Sequence, residues 1–285
     1  MISEKDLEHI SSVISLSDAY FSCKPEKPCV IGVSAASEHS VSDELSTIPT
    51  AAESSAAGGS SASGESPVAD AGLAAGGSLV AGGTEASDAL EKIARKIAVC
   101  KRCRLCEGRR NTVPGIGVPN PLVLVIGEGP GADEDASGEP FVGKAGQLLD
   151  KMLGAINLSR HTNCFIANIV KCRPPNNRDP MPDEAEACRS FLDAQISVLK
   201  PKMILTVGRI AVQNILNTTT GINKLRGQFF EYRDIPLLPT YHPSALLRNE
   251  EMKRPAWEDL KKFRARLEEI TGLSFNSSPQ TGRNG

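Results

Sequence analysis

Leu122-Val123-Leu124-Val125-Ile126 follows Pro121 and runs directly into Gly127-Glu128-Gly129-Pro130-Gly131. An unbroken apolar run that stops at glycine suits a strand covered on both faces, as in a parallel sheet, whereas a half-exposed strand would alternate polar and apolar residues. Similar runs recur at Cys164–Asn168, Met203–Val207 and Ile235–Pro239. Helical patterns over Ala145–Ile156, Asp183–Leu199, Arg209–Leu216 and Trp257–Ile270 separate or follow them. Alternating strand and helix predicts an α/β fold of three layers, an open parallel sheet of about four strands with helices on both faces. Such sheets bind ligands at the carboxyl ends of their strands, where Gly127, Asn168, Gly208 and His242 fall.

Outward from this core the composition changes. Between Ser34 and Ser87 the chain is nearly all Ala, Ser, Gly, Glu and Thr and has no aromatic residue. Such a stretch cannot bury enough apolar surface to offset its ordering entropy, so residues 34–87 are expected to be a disordered linker. Before it, Leu7, Ile10, Val13, Ile14 and Leu16 repeat at helical spacing, which predicts an amphipathic helix within an N-terminal segment 1–33. Ser87 can cap a helix that leads to Cys100, so the folded domain is expected over 88–271, with a disordered tail at 272–285. Residues 1–99 hold 6 basic and 14 acidic side chains, against 26 and 20 in residues 100–285. The net of −2 thus hides an acidic arm, available to an unidentified protein partner, and a positive domain that permits a phosphate-bearing one. No apolar stretch is long enough to span a bilayer and the first residues lack a secretory pattern, so a cytoplasmic protein is expected. A monomer is expected as well.

Eight cysteines in a reducing compartment point to metal ligands and buried thiols rather than disulfides. Cys100 and Cys103 form a C-x2-C pair, and Cys172 with Cys188 supplies a wider one. Four converging sulfurs suit tetrahedral zinc or an iron-sulfur cluster, and spacing alone leaves both open. Gly127–Gly131 matches neither G-x-G-x-x-G nor the P-loop, so a nucleotide cofactor is not expected. What it offers is a tight turn that presents Glu128 at a strand end, or simply a turn. Of four histidines, His242 alone follows an apolar run, and Pro243 stiffens its turn.

Several ordered motifs together resemble family 4, the iron-sulfur type, of the uracil-DNA glycosylases. They are Gly127–Asp135 (GEGPGADED), Pro140–Gly146 (PFVGKAG), Asn168–Pro175 (NIVKCRPP) and His242-Pro243 with the leucines after it. The resemblance runs from about Cys100 to Leu267 and leaves the first 99 residues outside. It implies a monofunctional hydrolase that removes uracil from DNA and leaves an abasic site, the first step of base excision repair. It places Cys100, Cys103, Cys172 and Cys188 around a 4Fe-4S cluster, with Cys106 and Cys164 as extra thiols. Phe141 then corresponds to the platform on which the base stacks, and Asn168 to the reader of uracil's edge. An amide carries both the acceptor for N3–H and the donor for O4, a pattern cytosine cannot match. His242 would donate to the charge developing on uracil O2, while Glu128 and the Gly129 backbone position water. Glu134 would crowd C5 against thymine's methyl group. Leu246 or Leu247 would wedge into the duplex with Arg248 on phosphate, and Lys171, Arg173 and Arg178 could add phosphate contacts.

Each of these residues also has a plainer role open to it: core aromatic, turn cap, solvated acid, buried leucine. Two other functions are open as well. One is a uracil-DNA-binding protein of the same superfamily without turnover, which traps DNA through a histidine in a basic loop. The corresponding stretch here, Lys224-Leu225-Arg226-Gly227-Gln228, has no histidine. The other is a zinc-bound nucleic-acid-binding module. No lysine is positioned by the motifs for a Schiff-base reaction.

Overall fold

In the computed structural model the central strand β2, Val123–Gly127, is buried at every position, as its apolar run requires. The structure describes residues 81–275. The helix expected within 1–33 and the expected linker up to residue 80 fall outside that range.

Four strands run parallel, in the order β3 (Cys164–Asn168), β2, β4 (Met203–Val207) and β6 (Ile235–Thr240). Two short strands close the edges. β1, Ile116–Gly117, pairs antiparallel with β3, and β5, Phe230–Tyr232, pairs antiparallel with β6. Among the described residues the sheet is therefore six-stranded and mixed at its edges, not purely parallel.

Alternate residues of the parallel strands feed two core layers. Leu124, Ile126, Phe165, Ile204 and Leu237 meet helices α1 (Ala81–Ala98), α5 (Pro182–Leu199) and α6 (Arg209–Leu216) through Ile97, Leu192, Ile196 and Ile215. Val123, Val125, Ile166, Leu205 and Leu238 meet α4 (Lys144–Gly154), α8 (Pro243–Arg248) and α9 (Lys253–Thr271) through Leu149, Leu153, Leu246, Leu260 and Phe263. Each such fully buried aliphatic side chain contributes about 1.5–3 kcal/mol relative to exposure. The short helices α2 (Leu105–Gly108), α3 (Ala132–Ser137) and α7 (Ile222–Leu225) lie in the connections.

Two boundaries differ from expectation. Helix α1 begins at Ala81, so residues 81–87 are helix rather than linker, and Ala86 is buried. Alanine favours helix wherever a face can be buried, which composition alone does not reveal. At the other end Phe275 joins the core layer of α9, and its N–H donates to Glu268 Oε1 at 2.8 Å. Residues 272–275 are thus docked, and the rest of the expected tail, 276–285, lies outside the described residues. No helix among the described residues is long and apolar enough to cross a membrane.

Candidate active site

The carboxyl ends of the parallel strands open into a cavity of about 660 Å³, lined by Glu128, Gly129, Glu134, Phe141, Asn168, His242 and Arg248 among others. The residues singled out at the strand ends thus converge on one place. The register brings Gly127 of β2 opposite Asn168 of β3. A Cβ on Gly127 would lie 2.4 Å from Asn168 Oδ1 and 2.6 Å from the Phe141 ring, so glycine is what lets the amide and the ring close on the strand end.

Asn168 is 1% exposed, and its Oδ1 is buried without a hydrogen-bond partner. Native folds satisfy nearly all such atoms, so an orphan acceptor in a cavity wall marks a place where a ligand's donor fits.

Phe141 adopts φ 56, a conformation that bulky residues avoid. Arg160 holds it there. Its guanidinium is buried, donates to the carbonyls of Pro140 (2.9 Å) and Phe141 (3.0 Å), and pairs with Asp150 at 2.8 Å. Gly146 makes room, since a Cβ there would lie 1.8 Å from the Phe141 carbonyl oxygen. Arg160 stands outside every motif, so sequence reading missed it; a lone arginine whose partners are backbone carbonyls leaves no pattern.

Glu134 lies at the start of α3, and both of its oxygens are engaged. Oε1 accepts from the N–H groups of Val142 (3.0 Å) and Gly143 (3.1 Å), and Oε2 accepts from Gly131 N–H (3.0 Å). The carboxylate thereby ties the glycine-rich turn to the Phe141 loop, a job the motif alone did not disclose.

His242 caps α8, and its Nδ1 accepts from the Ser244 N–H at 3.1 Å. A backbone amide can only donate, so in the neutral ring the proton sits on Nε2. Burial is the chief reason its pKa falls to about 4; Arg248 pushes the same way and Glu134 opposes. The ring is therefore a neutral donor at physiological pH. It stands 5.7 Å from the Phe141 ring, centroid to centroid.

Glu128 moves in the opposite direction. Burial, followed by the charge of Asp179, raises its pKa to about 7, against the pull of Arg209. Asp179 and Arg209 form an ion pair at 2.5 Å on the same cavity wall. Gly129 packs so closely on Val170 that a Cβ would lie 2.7 Å from its Cγ2. Lys144 also lines this cavity and is exposed.

The two leucines separate. Leu246 is 2% exposed within the core layer of α4 and α9, so packing assigns it to the fold and not to DNA, whereas Leu247 is 48% exposed beside Arg248. Lys171 likewise leaves the phosphate-contact group, because it is completely buried. Arg178 faces the cavity with its guanidinium engaged by Glu184 at 2.8 and 2.7 Å. In the basic loop Arg226 is held by Asp259 at 2.6 Å.

Cys100, Cys103, Cys106, Cys172 and Cys188 line a second, small cavity. Arg109 Nη1 donates to Cys172 Sγ at 3.1 Å, and burial pushes the Cys188 thiol up to about 12. Among the described residues no three His, Cys, Asp or Glu side chains are arranged to hold a single metal ion. Cys164 is buried in β3, outside this group.

The chain has relatives among known proteins. The family model described as the uracil DNA glycosylase superfamily matches residues 114–261. A type-4 uracil-DNA glycosylase of Sulfurisphaera tokodaii is 43% identical over 185 residues, covering 62% of this chain and 84% of the relative. Its counterpart in Archaeoglobus fulgidus is 39% identical over 184 residues, 62% of this chain and 92% of the relative. That of Saccharolobus solfataricus is 41% identical over 189 residues, 63% and 87%.

Proposed function

Since this chain belongs to the uracil DNA glycosylase superfamily, in its type-4 branch, we propose that it hydrolyses the bond between uracil and deoxyribose in DNA, releasing free uracil and leaving an abasic site. The observation that carries this reading is the buried, unpartnered Oδ1 of Asn168, a residue that lines the strand-end cavity.

A base must leave the stack to enter such a cavity. Phe141 supplies an apolar face for it, with the ring fixed through Arg160 and Gly146. Asn168 Oδ1 accepts from uracil N3–H while its amide nitrogen donates to O4. Cytosine presents an acceptor at N3 and a donor at N4, so it leaves both partners mismatched and buried, which is how a polar site rejects a near relative. His242 donates from Nε2 to uracil O2. As the C1′–N1 bond breaks, the electron pair departs with uracil, and the neutral donor stabilises that anion without first surrendering a proton. Glu128, with the Gly129 backbone, holds the water that adds to C1′ and takes up its proton. Leu247 fills the space left by the base and Arg248 meets phosphate. Glu134 lies on the cavity wall, where it crowds uracil C5 against thymine.

Single-turnover release of uracil from an oligonucleotide tests the reaction. Asn168→Ala is expected to slow it by about 10- to 100-fold, the value of one or two lost hydrogen bonds to a buried base. A wild-type chain that releases no uracil ends this reading. Borohydride trapping of the chain on its substrate through Lys144 would end the monofunctional part of it.

The cysteine cavity fits an iron-sulfur cluster by its chemistry, since soft sulfur donors converge with neither carboxylate nor imidazole among them. Cys100, Cys103, Cys172 and Cys188 would hold a 4Fe-4S cluster, which when bound crosslinks the end of α1, the loop after Asn168 and α5. Buried thiols with raised pKa values stay protonated unless such a centre takes up their charge. Purified protein should be brown with about four irons per chain, and removing iron should lower the melting temperature by about 10 °C. Colourless protein holding zinc would refute the cluster. Reduced thiols of this kind suit a cytoplasmic setting.

A further inference from the structure

Lys171 is 1% exposed, yet its hydrogen-bond partners are neutral. Its Nζ donates to the backbone carbonyl of Asn168 at 2.9 Å and to Gln195 Oε1 at 2.7 Å. Gln195, from α5, donates onward through Nε2 to the carbonyl of Pro114 at 2.7 Å. The Lys171 carbonyl accepts from Val113 N–H at 2.8 Å. Through its ammonium, its backbone carbonyl and the relay of Gln195, Lys171 thus joins the end of β3, the segment at Val113 and Pro114, α5, and the loop that carries Cys172.

Burying an ammonium is costly, and an apolar side chain of similar length would fill the same volume without that cost. The lysine is explained if its directed donors do what an apolar chain cannot. Lys171 lines the cysteine cavity and does not line the strand-end cavity, so it touches no base. Its bond to the Asn168 carbonyl acts on the residue whose amide reads the base.

Resting on the glycosylase reading, we infer that Lys171 is a positioning residue that fixes Asn168 from the cysteine side, making the cysteine site and the base-reading strand end one hydrogen-bonded unit. Without it the Asn168 carbonyl and Gln195 lose their shared donor, and the amide is no longer held at the angle uracil requires.

The test uses the full chain carrying Lys171→Met, Asn168→Ala or both, with single-turnover uracil release, DNA affinity and iron per chain measured for each. Lys171→Met should slow release by about tenfold while iron content and DNA affinity stay at wild-type values. The double variant should be no more than about twofold slower than Asn168→Ala alone, because both changes remove one function. A wild-type rate for Lys171→Met, or a loss that multiplies with that of Asn168→Ala, overturns the inference. If Lys171→Met loses iron or fails to fold, Gln195→Met decides, since it keeps the lysine and removes one acceptor. A rate loss that does not add to that of Asn168→Ala, with iron retained, upholds the inference; an unchanged rate, an additive loss or lost iron overturns it. Absence of uracil release by the wild-type chain sinks the glycosylase reading and this inference with it, whereas the other failures sink this inference alone.

Discussion

His242→Leu is expected to slow single-turnover uracil release by about 10²- to 10³-fold, the usual cost of removing one preorganised donor to a developing anion. DNA affinity should change little, because the charge on O2 exists only as the bond breaks. The pH profile separates this role from that of a general acid. With its pKa held near 4 by burial, His242 is neutral from about pH 5 upward and donates equally well across the physiological range. With the titration of Glu128 removed, in a Glu128→Gln background, no inflection near 6.5 should remain in the rate, and one there would contradict the neutral donor. Stability responds in the matching direction. A histidine whose folded pKa is depressed contributes fully above its unfolded pKa, and that contribution is lost as pH falls from about 6.5 towards 4. Chemical denaturation should therefore show wild type losing stability relative to His242→Leu over that window. A His242→Leu rate within about threefold of wild type would remove His242 from the mechanism.

How much of this site the chain announces depends on which forces act at each residue. The parallel strands are legible because burial on both faces demands unbroken apolar runs, and the strand-end rule then gathers Glu128, Asn168 and His242. The edge strands are not. β1 has two residues, and β5 turns into β6 through Arg233 (φ 52) and Asp234 (φ 62), where a tight hairpin would ordinarily advertise Asn-Gly. Leu246 and Leu247 look alike in sequence, and only the packing of α8 on α4 and α9 sets which is buried. Arg160 was missed, and Lys171 was given to phosphate instead of to the fold, for a shared reason. Their principal partners are backbone carbonyls, which every residue possesses, so long-range positioning of this kind leaves no mark on composition or spacing. Glu134 shows the converse: its motif marked it as functional, while its three backbone hydrogen bonds show what its oxygens hold together.

Glu128→Gln should lower the rate of uracil release by about 10²- to 10³-fold, in the range of a lost general base, and should also change the shape of its pH dependence. Burial, reinforced by Asp179, holds Glu128 near 7, so the carboxylate that orients water is the minor form below that pH. The wild-type rate should rise about tenfold per pH unit below 7 and level off above it, whereas Glu128→Gln should be flat. Asp179→Asn removes a raising charge and should move the inflection down; Arg209→Met removes a lowering one and should move it up. Stability runs the other way. A carboxyl whose folded pKa is raised binds its proton more tightly when folded, so the fold is favoured below the unfolded value of 4.5 and loses that support as pH rises through about 7. Glu128→Gln should therefore be nearly as stable as wild type at pH 4 and more stable at pH 8, where wild type is most active. A merely structural glutamate predicts the opposite pairing, a variant that loses activity because it loses stability. Denaturant midpoints at the two pH values, set beside the rates, decide between them. Only a carboxylate kept in a poor environment for the sake of its chemistry gives a variant that is both slower and sturdier.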